Sequence, residues 1–311
     1  MRATLHAFAL LCALLLATST ARAGDKLRVV ATIPDLADIT TEVGGERVEV
    51  STIAKGKENL HFVLARPSHL VALSKADALV QVGLSMEMGF IPGLLESCGN
   101  PKVQPGGVGF INCSDGWHAI GVPEVLTRQG GDLHPQGNPH MNIDPRGGRH
   151  FALRICEGLA RVAPQWKGEF EVRRDAYLAK LARAEARWAE IGSHWKGRKL
   201  VEYHQEYNYL VELYGLELVA NLESKPGIPP TPNHLAGVIE AMKREGCDVI
   251  VSALWSRNDY VVRVAEATGA RVVELPNMCG GIPGTQTWIG MMDLLHERLA
   301  AAFGTPVPER R

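Results

Sequence analysis

The chain has 311 residues, of which 46% are hydrophobic and 22% charged, and its formal net charge is −1. That composition excludes a collagen-like or wholly disordered chain. The near-neutral balance lacks the basic excess that phosphate binding needs, which argues against nucleic acid as a partner. The length allows about two domains.

Residues 1–23 read as a cleavable secretory leader. Arg2 supplies a positive start, residues 7–17 are almost wholly apolar, and Ala21-Arg22-Ala23 has the A-x-A form of a cleavage site. The apolar run is about half the ~20 residues that a membrane span needs. Removing the leader takes away Arg2 and Arg22 and no acid, so the formal charge goes from −1 to −3. Five cysteines remain: Cys98, Cys113, Cys156, Cys247 and Cys279. A secreted chain with an odd count keeps at least one free thiol. Cys98 and Cys113 flank a Gly/Pro/Asn-rich turn and are the favoured pair; the alternative is that all five are buried apolar groups.

After the leader, short β-rich runs alternate with helical ones. Residues 27–32 read as a strand, 35–43 as a helix, 48–53 as a strand, 67–76 as a helix and 78–82 as a strand. Such alternation implies crossover units and a mostly parallel sheet. Residues 101–138 are rich in Gly, Pro, Asn and Gln and read as long irregular loops, which in compact domains are usually functional. From about 149 to 195 the pattern is helical, with Phe170, Leu178, Leu181, Ala184 and Trp188 recurring among alternating charges. A helix of about 25 residues here would be ~38 Å long. Strand–helix alternation then resumes, with strands at 199–203, 216–221, 248–253 and 271–275 and helices at 207–214, 232–245, 260–268 and 287–303. The expected architecture is two α/β lobes: residues 24–165, a connecting helix at 166–196, and residues 197–311.

The usual enzyme signatures are missing. There is no G-x-G-x-x-G after the first strand, no G-x-x-x-x-G-K-[ST], no G-x-S-x-G, no H-E-x-x-H and no C-x-x-C. Histidine carries the signal instead. His61 follows the strand ending near Ile53, His140 lies in a Pro-rich loop, and His204 directly follows the strand at 199–203. Ligands of open α/β sheets gather at the carboxyl ends of strands. Three imidazoles brought there form a nitrogen-rich site suited to Zn²⁺. His69, His118, His150, His194, His234 and His296 read as solvent-facing or internally satisfied.

Three spaced segments carry a resemblance. They are His61-Phe62-Val63-Leu64-Ala65-Arg66-Pro67-Ser68; Asn138-Pro139-His140 followed by Ile143-Asp144-Pro145; and Tyr203-His204 with Tyr207, Tyr209, Leu210 and Tyr214-Gly215-Leu216. In this order, with the connecting helix and the run Gly227-Ile228-Pro229-Pro230-Thr231-Pro232, the chain resembles the cluster A-I solute-binding proteins. These are the zinc- and manganese-binding components of ABC importers. The resemblance implies a periplasmic, non-catalytic, monomeric metal receptor. It implies His61 and His140 from the first lobe and His204 from the second as metal ligands. The stiff connecting helix implies limited lobe movement, and the resemblance implies the membrane permease of an ABC importer as partner. Zn²⁺ is the first choice and Mn²⁺ the second, since manganese prefers more oxygen donors.

Two positions depart from the family pattern. Asn142 replaces the usual aromatic of the second segment. The aspartate that the family supplies after the last strand has no counterpart in Pro276-Asn277-Met278-Cys279-Gly280-Gly281. Glu223, at the end of the strand before the Gly-Ile-Pro run, is the first candidate for the fourth donor. Glu58, Glu206, His134, Cys279 and water stay open. Two rival functions also stay open: a secreted zinc hydrolase using the same three histidines, and a metal-chelate receptor of the same fold.

Overall fold

A computed structural model describes residues 26–123, 134–256 and 259–308. The expected leader lies outside the described residues. The first lobe is a parallel sheet of β1 (Leu27–Ala31), β2 (Val48–Thr52), β3 (Ala78–Gln81) and β4 (Phe110–Asn112), in the order β2-β1-β3-β4. Helices α1 (Pro34–Gly44), α2 (Pro67–Lys75) and α3 (Ile91–Cys98) connect these strands. The second lobe repeats the plan with β5 (Lys199–Glu202), β6 (Glu217–Asn221), β7 (Val249–Ala253) and β8 (Arg271–Leu275), ordered β6-β5-β7-β8. Its helices are α6 (Asn208–Tyr214), α7 (Pro232–Glu245), α8 (Asp259–Thr268) and α9 (Trp288–Phe303). All strand pairings are parallel, so every carboxyl end within a sheet points the same way. The fold is therefore two α/β lobes with parallel sheets, as the alternation of the sequence implies.

Two helices, α4 (Gly147–Val162) and α5 (Lys167–Gly192), lie between the lobes in sequence. Pro164 divides them, next to the expected start of the connecting helix at 166. The residue before a proline avoids the α conformation, and Ala163 adopts φ −135°, ψ 74°. α5 has 26 residues and buries Phe170, Tyr177, Leu181, Ala184, Trp188 and Ile191 at spacings of three, four and seven. It packs against α1, α4 and α9 and so backs both lobes. Polar clamps fix it at each end. Arg47 grips Glu169 with two 2.9 Å hydrogen bonds, and Trp188 Nε1 donates to Asp293 of α9 at 2.7 Å, with Arg187 on the same oxygen.

Strand alternation divides the second lobe's core. Leu200, Val249 and Val251 face the large core shared with α5, α9 and the first lobe. Val201 and Ile250 face Leu235, Val238 and Met242 of α7 and Val261 and Val264 of α8. His296 of α9 is fully buried in the shared core. It is stacked between Trp188 and Trp195 at 5.4 and 5.6 Å, with Nδ1 at 2.6 Å from the Met292 carbonyl and Nε2 at 2.8 Å from the Tyr214 hydroxyl.

Two expectations are corrected here. Residues 101–138 are not all irregular, since β4 lies within them; three residues between Gly- and Pro-rich flanks are too few to show a period. The Cys98–Cys113 bridge does not form, and the five cysteines described are all free and buried. Cys98 ends α3 with its thiol turned back to the Leu95 carbonyl at 3.4 Å.

The lobes touch through bare backbone. Gly56 follows β2 and Gly281 follows β8. A Cβ on Gly56 would stand 2.3 Å from the Cys279 carbonyl oxygen, and one on Gly281 would stand 2.2 Å from the Gly56 oxygen. Only glycine allows this approach.

Candidate metal centre

Both first-lobe histidines are set by the same local device. In Asn59-Leu60-His61 the Asn59 side chain accepts the His61 N–H at 2.9 Å. In Asn138-Pro139-His140 the Asn138 side chain accepts the His140 N–H, also at 2.9 Å. Each is an asparagine bonding the backbone two residues on. Each leads into a short 3₁₀ turn, Leu60–Phe62 or Met141–Ile143. Asn138 also reaches across the cleft, its amide donating to the Gln205 carbonyl at 2.7 Å.

His204 comes from the other side, two residues beyond β5. Its Nδ1 lies 2.8 Å from Glu223 Oε2, and the same oxygen accepts the Gly227 N–H at 3.1 Å. A carboxylate on Nδ1 holds the proton there and leaves the Nε2 lone pair outward. The Trp255 ring stands edge-on to His204 at 5.6 Å, and its Nε1 donates to Glu206 at 2.8 Å.

The three imidazoles converge. His61 Nε2 and His140 Nε2 are 3.3 Å apart, as are His140 Nε2 and His204 Nε2. All three donors lie within 4.8 Å of one another, and each residue is at most 8% exposed. Zn–N bonds of ~2.0–2.1 Å at tetrahedral angles place neighbouring nitrogens about 3.3 Å apart. Burial, then the neighbouring imidazoles, hold His61 and His140 well below the usual histidine range. Neutral imidazole is the form that binds metal.

The candidates for the fourth donor are placed as follows. Glu223 faces the far nitrogen of His204. Glu206 is turned to Trp255, and burial raises its carboxyl to about 7. Glu58 accepts the Lys55 N–H at 2.8 Å. Cys279 is buried, with its N–H on Asp35 at 3.0 Å. The His134 ring lies 5.0 Å from the His61 ring. The sequence gives no sign of Trp255 as part of the site, whereas the Asn59 and Asn138 turns carry a signal in their matching Asn-x-His spacing.

The two departures from the family pattern meet in space. Asn142 Nδ2 donates to the Asn277 carbonyl at 2.9 Å and to Asp35 at 3.2 Å. Trp288 Nε1 donates to the Asn142 carbonyl at 2.9 Å. The acid-free loop after β8 is thus fastened to the first lobe.

Comparison with known proteins finds relatives in sequence and in fold. The chain is 28% identical over 239 residues to the zinc-binding lipoprotein AdcA of Streptococcus pneumoniae, covering 75% of this chain and 47% of that protein. It therefore spans about half the length of that relative. It is 25% identical over 232 residues to the manganese ABC transporter substrate-binding lipoprotein PsaA of Streptococcus pneumoniae, covering 73% of this chain and 72% of that protein. Among solved structures, a crystal structure of ZnuA superposes with a TM-score of 0.74 at 22% identity, over 89% of this chain and 99% of that one. A Mn-bound periplasmic metal-binding protein of Candidatus Liberibacter asiaticus gives 0.73 at 18% identity, over 89% and 99%. The pattern of the family described as zinc-uptake complex component A, periplasmic (ZnuA) matches residues 29–302, and the chain belongs to that family.

Proposed function

We propose that this chain captures a divalent transition metal, Zn²⁺ first, and delivers it to the membrane permease of an ABC importer. The observation that carries this is the convergence of three buried Nε2 atoms at tetrahedral spacing between the lobes. His61, His140 and His204 bind the ion directly, and Glu223 holds His204 in the binding tautomer. Relatives are named for zinc, manganese and iron. The donors of this chain favour zinc among these, because three neutral imidazoles suit it better than the oxygen-preferring manganese.

The chain acts by binding and not by catalysis. A hydrolase would need a general base free beside the metal-bound water. Glu206 and Glu223, the acids nearest His204, are instead engaged with Trp255 and His204. The protein works in the periplasm after removal of its leader. Among the described residues no helix is long and apolar enough to cross a membrane.

Metal analysis of protein purified without chelators or metal-affinity resin tests the reading, together with calorimetric titration of His61→Ala, His140→Ala and His204→Ala. One zinc per chain and a sharp loss of affinity in each variant are expected. Wild-type affinity in all three would refute the site.

A further inference from the structure

Three imidazoles leave the fourth corner of a tetrahedron to be filled, and the family's usual donor is missing. The acidic side chains nearby are committed elsewhere: Glu223 to His204 Nδ1 and the Gly227 N–H, Glu206 to Trp255, and Glu58 to the Lys55 N–H. The loop after β8 offers no carboxylate and is fastened to Asp35 and Asn142.

His134 is placed differently. Its ring centre is 5.0 Å from that of His61, while the centres of His61, His140 and His204 are 5.1 to 5.2 Å apart. Imidazoles sharing one tetrahedral zinc have ring centres about 5 Å apart, since each centre lies just over 1 Å beyond its bound nitrogen. His134 borders two clefts, one reaching His140 and His204 and the other reaching His61. Resting on the metal-capture reading, we propose that His134 supplies the fourth donor and completes a four-imidazole site.

The chain carries His134 in a way that suits this role. Its carbonyl accepts the Gly137 N–H at 3.1 Å, closing a turn. Gly137 has φ +107° where a Cβ would stand 2.8 Å from the Ile120 oxygen, so the turn requires glycine. Immediately after it, Asn138 is pinned to Ile120 on its own lobe and to Gln205 on the other. The far end of the turn is fixed, and His134 stands at its near end. As placed, His134 is not among the three donors that lie within 4.8 Å of one another, so completing the site requires its imidazole to turn towards them about its side-chain torsions.

A neutral fourth donor has two consequences. It leaves the full dication charge on the site, which further disfavours manganese. It also makes His134 the ligand that can leave alone, opening one corner to a donor from the delivery partner while three imidazoles stay in place.

The test uses the mature chain and zinc. Zn K-edge X-ray absorption counts imidazoles in the wild type, His134→Ala and His134→Gln, and competition titration gives the affinities. Four imidazoles are expected in the wild type, and three with one oxygen in the variants. Affinity should fall by about tenfold or more, with one zinc still bound. Three imidazoles and equal affinity in all forms would overturn the proposal and leave the three-histidine site standing. Failure of the wild type to take up zinc would overturn both.

Discussion

His204 Nδ1 and Glu223 Oε2 lie 2.8 Å apart across the carboxyl ends of the paired strands β5 and β6. The strand pairing sets this contact, since the Glu223 N–H donates to the Tyr203 carbonyl at 3.0 Å. Under the proposed function, the carboxylate would therefore act on the metal through the ring of His204. Glu223→Gln keeps an acceptor for Nδ1–H and removes the charge. Zinc affinity should fall about 10–100-fold with one ion still bound. A chelator-competition titration measures this, and an unchanged constant would rule out the positioning role.

Asp35 is the anchor of the loop after β8. It is fully buried, and burial raises its carboxyl to about 7 against the hydrogen bonds from Cys279 and Asn142. Asp35→Ala leaves the Cys279 N–H without its acceptor in the core, a loss of about 1–3 kcal/mol. Amide hydrogen exchange at Cys279 should accelerate. Protection equal to wild type would mean that the loop is held by other contacts.

The backbone contact between Gly56 and Gly281 gives a second structural test. A methyl group on Gly56 must displace the Cys279 carbonyl and the Gly281 amide, neither of which is a flexible side-chain end. Gly56→Ala should destabilise by roughly 1–3 kcal/mol, as overpacking does. Chemical denaturation reads this, and a neutral result would show that the lobes can part at this seam.

His296 gives the metal-free protein a pH dependence. Burial lowers its pKa from 6.5 to about 4. The unfolded chain therefore binds a proton between those values that the folded one refuses. Its contribution to stability is full above pH 6.5 and is lost as pH falls towards 4, about 3 kcal/mol in all. Urea titrations at pH 4.5 and 7 should show a smaller difference for His296→Gln than for the wild type. Equal differences would place the dependence on other groups.

Much of this molecule is legible in its sequence because its elements are local. Thr231 caps α7 with Pro232 at its first position, and Thr287 caps α9, so both helices start where the pattern sets them. His204 is visible for the same reason, two residues beyond β5, whereas His61 and His140 lie in Asn-x-His turns well past the ends of β2 and β4 and not at strand ends as expected. Long-range facts are not legible. Nothing near Glu223 in sequence says that its carboxylate faces His204, because the strand pairing decides that. The contact between Asn142 and Asn277 spans 135 positions. The Cys98–Cys113 expectation failed because a turn-flanking spacing says nothing of where α3 aims its last side chain. α3 itself is short and holds Pro92 and Gly93, which hide its helical period.

The clamps at the two ends of α5 bear on how a permease would tell a full receptor from an empty one. Arg47 and Glu169 tie the helix to the first lobe, and Arg187 and Trp188 tie it to α9. Under the proposed function, a receptor braced in this way would change its outline little when it loads. Empty copies would then dock nearly as well as full ones and occupy the same berth. Uptake would slow when metal is scarce because idle receptors crowd the transporter, so the ratio of receptor to permease becomes a control on flux in its own right.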